Sequence, residues 1–108
     1  MRHRAEQLAR QSPIEAVRSL LRGQVADASS LDEVRGGFRL MAKSTVRGLR
    51  RDLAAVEAVL SEPTRPGELV ELVEWDANWV LDEPTDAAAA AFLSQLADLL
   101  REAIEEAA

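Results

Sequence analysis

The sequence predicts an all-α fold: a single-domain bundle of three to four helices over about 13–22, 30–61, 68–81 and 86–106. Three observations predict it. Apolar residues recur every three or four positions in each of these stretches, as they do along one face of a helix. No stretch keeps the alternation of a half-buried strand for more than a few residues. Turn signals, among them Gly23, "SEPTRPG" and the proline turn at Pro84, cut the stretches apart and leave short loops. Helices with one apolar stripe bury it by packing on one another.

Residues 1–11, MRHRAEQLARQ, are basic and lead into no apolar run. They are expected to be frayed or weakly ordered, and they do not read as a secretory signal. Ser12-Pro13-Ile14-Glu15 then forms a capping box with proline at the first helical position. Ile14, Val17 and Leu21 share a face, and Gly23 is expected to close the helix.

Ser30-Leu31-Asp32-Glu33 is a second capping box and opens the longest segment, the expected spine of the bundle. Val34, Phe38 and Met41 form one stripe; Val46, Leu49, Leu53, Val56 and Leu60 form an a/d seam over two heptads. Gly36-Gly37 interrupts the pattern at a cost of about 1 kcal/mol per glycine relative to alanine. The pair marks where the segment would kink, split or admit another backbone, so one helix and two helices both stay open. "SEPTRPG" ends the segment, because the residue before a proline avoids helical dihedrals.

Glu68 to about Leu81 reads as the next helix. Asp86 to about Glu106 reads as the last, with a stripe of Phe92, Leu93, Leu96, Leu100 and Ile104 and a five-alanine run suited to close packing.

The chain of 108 residues is one domain of ordinary size, spanning 1–108. It has no cysteine, which excludes disulfides, thiolate zinc sites and a cysteine nucleophile. No stretch approaches the roughly 20 apolar residues of a membrane span, so the expected location is cytoplasmic with no membrane partner. The net charge of -6 hides a split: residues 1–60 carry eleven Lys/Arg against seven Asp/Glu, residues 61–108 two against twelve. A chain of that kind can lay its basic half on its acidic half.

Four features compete as sites. Asp76 lies near the centre of the apolar arc of Leu69, Leu72, Val73, Trp79 and Val80 when 68–82 is projected as a helix. A bare carboxylate there is costly, so it needs a partner. It would cap a fresh turn, pair with an arginine of the long segment, accept from an indole, or serve a pocket between the tryptophans. It is read as structural first and as a site second. Trp75 and Trp79 are one turn apart in a chain without tyrosine. Trp79 reads as core, and an exposed Trp75 would be a partner anchor.

Arg35, Arg39, Lys43 and Arg47, with Arg50 and Arg51 beyond, make a positive ridge that could track phosphates. No aromatics interleave with it to stack bases. Glu68, Glu71, Glu74, Glu83 and Asp86 have a spacing similar to the paired E-x-x-E and E-x-x-D of all-α nucleotide pyrophosphatases, which hold magnesium between helices. The departure is decisive for assignment: Glu83-Pro84-Thr85-Asp86 is a proline turn without a helix face, and the family is not assigned. His3 is the single histidine, and the glycines fit neither a P-loop nor a dinucleotide fingerprint.

The expectation from sequence is therefore a small, acidic, non-enzymatic protein-interaction module of regulatory, inhibitor or immunity type, with no cofactor and no metal. Its partner is expected to be a basic protein, met through Glu71, Glu74, Trp75 and Asp82, or a second copy met through the Val46–Leu60 seam. The rival readings are a nucleic-acid binder using the Arg35–Arg51 ridge and a magnesium-dependent all-α phosphohydrolase using Glu71, Glu74 and Asp86.

Overall fold

The computed structural model describes residues 12–107, and these form five helices with no strand among them. Residues 1–11, with the expected frayed segment and His3, lie outside the described residues.

Helix α1, Pro13–Leu20, starts where Ser12 accepts the Glu15 N–H through its hydroxyl at 3.3 Å. Gly23 does not close it. The chain stays helical through a wider, π-type turn at Leu21–Val25, closed by the Ala26 N–H donating to the Leu21 carbonyl at 2.8 Å. The gain is burial: Leu21 and Val25 are both fully buried. A glycine stops a helix only when nothing beyond it needs to be inside, and here Val25 does.

The 30–61 segment is two helices, and the break is not at Gly36-Gly37. Helix α2 runs Leu31–Ser44, straight through both glycines, with Val34 and Phe38 buried. Helix α3 runs Arg47–Ser61. Between them Thr45 is extended (φ -162°, ψ 133°), and its hydroxyl accepts the Arg47 N–H at 3.2 Å. A hydroxyl that can take the first N–H of the next helix competes with helix continuation, and a glycine offers no such bond. The α3 seam faces inward: Leu49 and Val56 are fully buried, Val46, Leu53 and Leu60 partly so.

Helix α4, Glu68–Glu71, follows Gly67 (φ +84°) and continues as a second π-type turn, Leu72–Asp76. It stops five residues short of the expected Leu81. Asn78 takes the left-handed conformation at φ 51°, and the N–H groups of Ala77 and Trp79 both reach back to the Val73 carbonyl. Asparagine tolerates this geometry at a helix end better than most residues. The projected arc therefore fails past Asp76, and Val80 is 88% exposed.

Helix α5, Asp86–Ala107, is capped by the Thr85 hydroxyl, which accepts the Ala88 N–H at 3.1 Å. It is the spine of the fold, packing against α2, α3 and α4. Ala89, Ala97 and Ala103 let neighbours approach closely around Phe92, Leu93, Leu96 and Leu100. The expected spine, 30–61, is instead two of the layers that pack on α5. The two charge halves meet at its C-terminal end: Arg39 bonds Glu106 at 2.8 Å, and Arg35 and Arg39 both reach Glu102. The Arg101–Glu57 pair ties α5 to α3. Among the described residues no helix is long and apolar enough to cross a membrane.

Candidate protein-interaction surface

Asp76 ends the π-type turn of α4 and is 7% exposed. Its two oxygens are met by α1: Arg18 Nε donates to Oδ2 at 3.2 Å and Arg22 Nε to Oδ1 at 2.7 Å. The arginines are four residues apart, hence neighbours on one helical face, so a single carboxylate reaches both. They come from the first helix and not from the long segment. Arg22 itself lies in the π-type turn of α1, so two π-type turns meet through this ion triplet. Such turns are often found at functional sites. Each guanidinium uses Nε alone, and among the described residues its Nη atoms meet no acceptor.

Beside this triplet stands Trp75, 82% exposed. Trp79, by contrast, is half-buried and leans on Phe92, with ring centroids 5.0 Å apart and planes 40° apart. The difference follows from the helix end. Trp75 is held on the outer face of the turn whose inner face buries Leu72, Val73 and Asp76, and the Asn78 reversal carries Trp79 back to α5.

An open groove of about 420 Å³ runs along this face. Helix α1 contributes Arg18 and Arg22, the α3–α4 loop Arg65, and α4 Glu68, Glu71, Leu72, Trp75 and Asp76. Arg65 pairs with Glu68 at 3.0 Å. Glu71 is exposed and Glu74 half-buried, and neither has a cation partner among the described residues. Of the residues expected to meet a partner, Glu71 and Trp75 line this groove, and Glu74 neighbours Trp75 without lining it. Asp82 lies elsewhere, on a second open groove of about 480 Å³ beside Val80 and Phe92. Sequence reasoning missed Arg18, Arg22 and Arg65. The four-residue spacing of Arg18 and Arg22 was legible, but what faces them from a distant helix was not.

Two members of the basic ridge are taken up in ion pairs within the chain. Arg35 is bound to Glu102 and Arg39 to Glu106 and Glu102; the hydrogen bond and charge of Glu106, with a smaller pull from Glu102, hold the Arg39 guanidinium above its ordinary pKa. The helix break at Thr45 separates Lys43 from Arg47, Arg50 and Arg51, all four exposed.

The carboxylates of the phosphohydrolase reading are also dispersed. Asp86 caps α4 from across the fold: its Oδ2 accepts the Gly67 N–H at 2.7 Å and its Oδ1 the Val70 N–H at 3.1 Å. Among the described residues no three His, Asp or Glu side chains gather to hold a metal ion. One further carboxylate stands out on α3: burial pushes Asp52 up from its ordinary pKa, against the pull of Arg51. It lines neither groove.

Comparison with protein-family models, with curated proteins and with solved structures finds no match to this chain. The chemistry of the groove therefore stands on its own residues. Two oriented guanidiniums, a solvated indole, and Glu71 with the neighbouring Glu74, both without a cation among the described residues, can bind a partner's side chains. They assemble no nucleophile–base pair.

Proposed function

We propose that the chain is a small non-enzymatic protein-interaction module that docks its partner on the Trp75 face of α1 and α4. The observation that carries this reading is the exposure of Trp75. An indole buries about 150–250 Å² when it packs, so at about 25 cal/mol per Å² a largely solvated one leaves roughly 3–5 kcal/mol ungained. Trp75 stands exposed among the charged groups of the groove, the arrangement of an anchor inside a polar rim.

The non-enzymatic part draws on how the candidate groups are used. Asp76 holds two arginines, Asp86 caps α4 and Glu68 pairs with Arg65. Regulatory, inhibitor and immunity-type roles all fit a module of this size and a net charge of -6. In each of them Glu71 and Glu74 steer a partner with basic groups towards the anchor.

The test is capture of binding partners from nuclease-treated lysate by the tagged full-length chain and by its Trp75→Ala variant, with a differently tagged copy of the chain included. The expected outcome is a partner lost with Trp75→Ala while the circular dichroism stays unchanged. For a hot-spot tryptophan the loss is about 2 kcal/mol or more, roughly 30-fold in affinity. Equal capture by both forms would overturn the reading.

A further inference from the structure

We infer that the occupant of the Trp75 groove is a second copy of this chain, docked about a two-fold axis; this rests on the docking role proposed for that face. The groups left over on the face decide among occupants. Arg18 and Arg22 each spend Nε on Asp76, and among the described residues their Nη edges make no hydrogen bond. Glu71 and Glu74 have no cation among the described residues. An acidic partner would answer the arginines and face Glu71 unpaired. A basic partner would answer the carboxylates and press against two guanidiniums.

A second copy answers both. A two-fold axis sets residue i against residue j and j against i, so a patch with both signs around one exposed anchor is complementary to itself. Glu71 and Glu74 of each copy meet the Nη edges of Arg18 and Arg22 of the other, a geometry that the planar guanidinium fork favours. Trp75 of each copy enters the other's groove between α1 and α4. The Val46–Leu60 seam takes no part, since Leu49 and Val56 are already inside the core. Such a dimer forms by mass action and is concentration-dependent.

Analytical ultracentrifugation of the full chain, from micromolar to millimolar concentration, tests this. The weight-average mass should climb from 11.8 kDa towards twice that value. Trp75→Ala should stay at the monomer mass; at 82% exposure the side chain contributes little to the fold. Two charge variants sharpen the test. Glu71→Arg with Glu74→Arg sets like charges across the axis, and so does Arg22→Glu. In the latter Arg18 stays on Asp76, and because the introduced carboxylate then faces that buried one, the variant's fold is confirmed first by circular dichroism. Each should be monomeric alone, and an equimolar mixture should regain the dimer mass, because both contacts become attractive.

A wild-type chain that stays monomeric throughout overturns the inference. So does a dimer that Trp75→Ala leaves intact, or a mixture that fails to recover association. A monomeric chain that still captures a different protein in a Trp75-dependent way leaves the docking face standing and refutes only the second copy. A monomeric chain with no Trp75-dependent capture refutes both.

Discussion

The ion triplet at Asp76 allows a prediction of sign as well as size. Replace Asp76 by alanine, and separately replace Arg18 and Arg22 together by methionine, which keeps most of each stem while removing the donors. Hydrogen bonds to charged groups are worth about 1.5–3 kcal/mol each, which sets an upper bound near 3–6 kcal/mol for the pair. The two sides are not equivalent. The arginine side chains are 42% and 67% exposed and the Asp76 side chain is 8% exposed. Freed of Asp76, the guanidiniums rehydrate, so Asp76→Ala should cost only about 1–3 kcal/mol. Freed of both arginines, a buried carboxylate has no partner, and the double variant should cost about 3–5 kcal/mol. Removing Asp76 from the double variant should then restore stability. Urea unfolding with linear extrapolation reads all four forms, provided their m-values agree. A triple variant less stable than the double variant would refute the reasoning, because the unpaired carboxylate would not be the source of the cost.

Two further predictions follow from single residues. Nothing stands within 4 Å of where a Cβ would project from Gly36, so Gly36→Ala should stabilise α2 by about 1 kcal/mol and raise Tm by about 5 °C; no gain in a thermal melt would mean that the helix is not continuous there. Burial raises the Asp52 pKa above its value in the unfolded chain, and Arg51 opposes the shift only in part, so the folded state binds more protons and stability falls as pH rises through that window. Asp52→Asn should therefore raise Tm at pH 7, and the gain should fade as pH drops below the ordinary carboxylate range of about 4.

How much of this was legible in the sequence depends on the range of the interaction. The helix starts at Ser12, Ser30 and Thr85–Asp86 and the end before Pro63 rest on contacts within four residues, and they appear where the spacing puts them. The helix ends elsewhere rest on competition. Gly36-Gly37 is locally the weakest point of 30–61, yet Val34 and Phe38 on either side of it are buried, and burial outweighs about 2 kcal/mol of glycine penalty. Thr45 yields instead, at a position where its own hydroxyl accepts the first N–H of the next helix, that of Arg47. The short α4 was hidden for a related reason: its stripe continues through Trp79 and Val80, and only the left-handed Asn78 breaks the register.

Asp76 shows why the site resisted sequence reading more than the fold did. Its position within an apolar arc implied a partner, but the partner's identity is tertiary: Arg18 and Arg22 lie 58 and 54 residues away. A periodic pattern encodes which face turns inward, and the stripes were sufficient for that. It does not encode which two helix ends meet. Here the meeting is made by two π-type turns, Leu21–Val25 and Leu72–Asp76, and neither has a hydrophobic period of its own. The same junction that buries Asp76 holds Trp75 outward beside it. On this argument the ion triplet and the exposed indole are one feature: the triplet locks the ends of α1 and α4 together, and that lock holds the backbone that carries Trp75, so that the proposed anchor has only its side chain to order on binding.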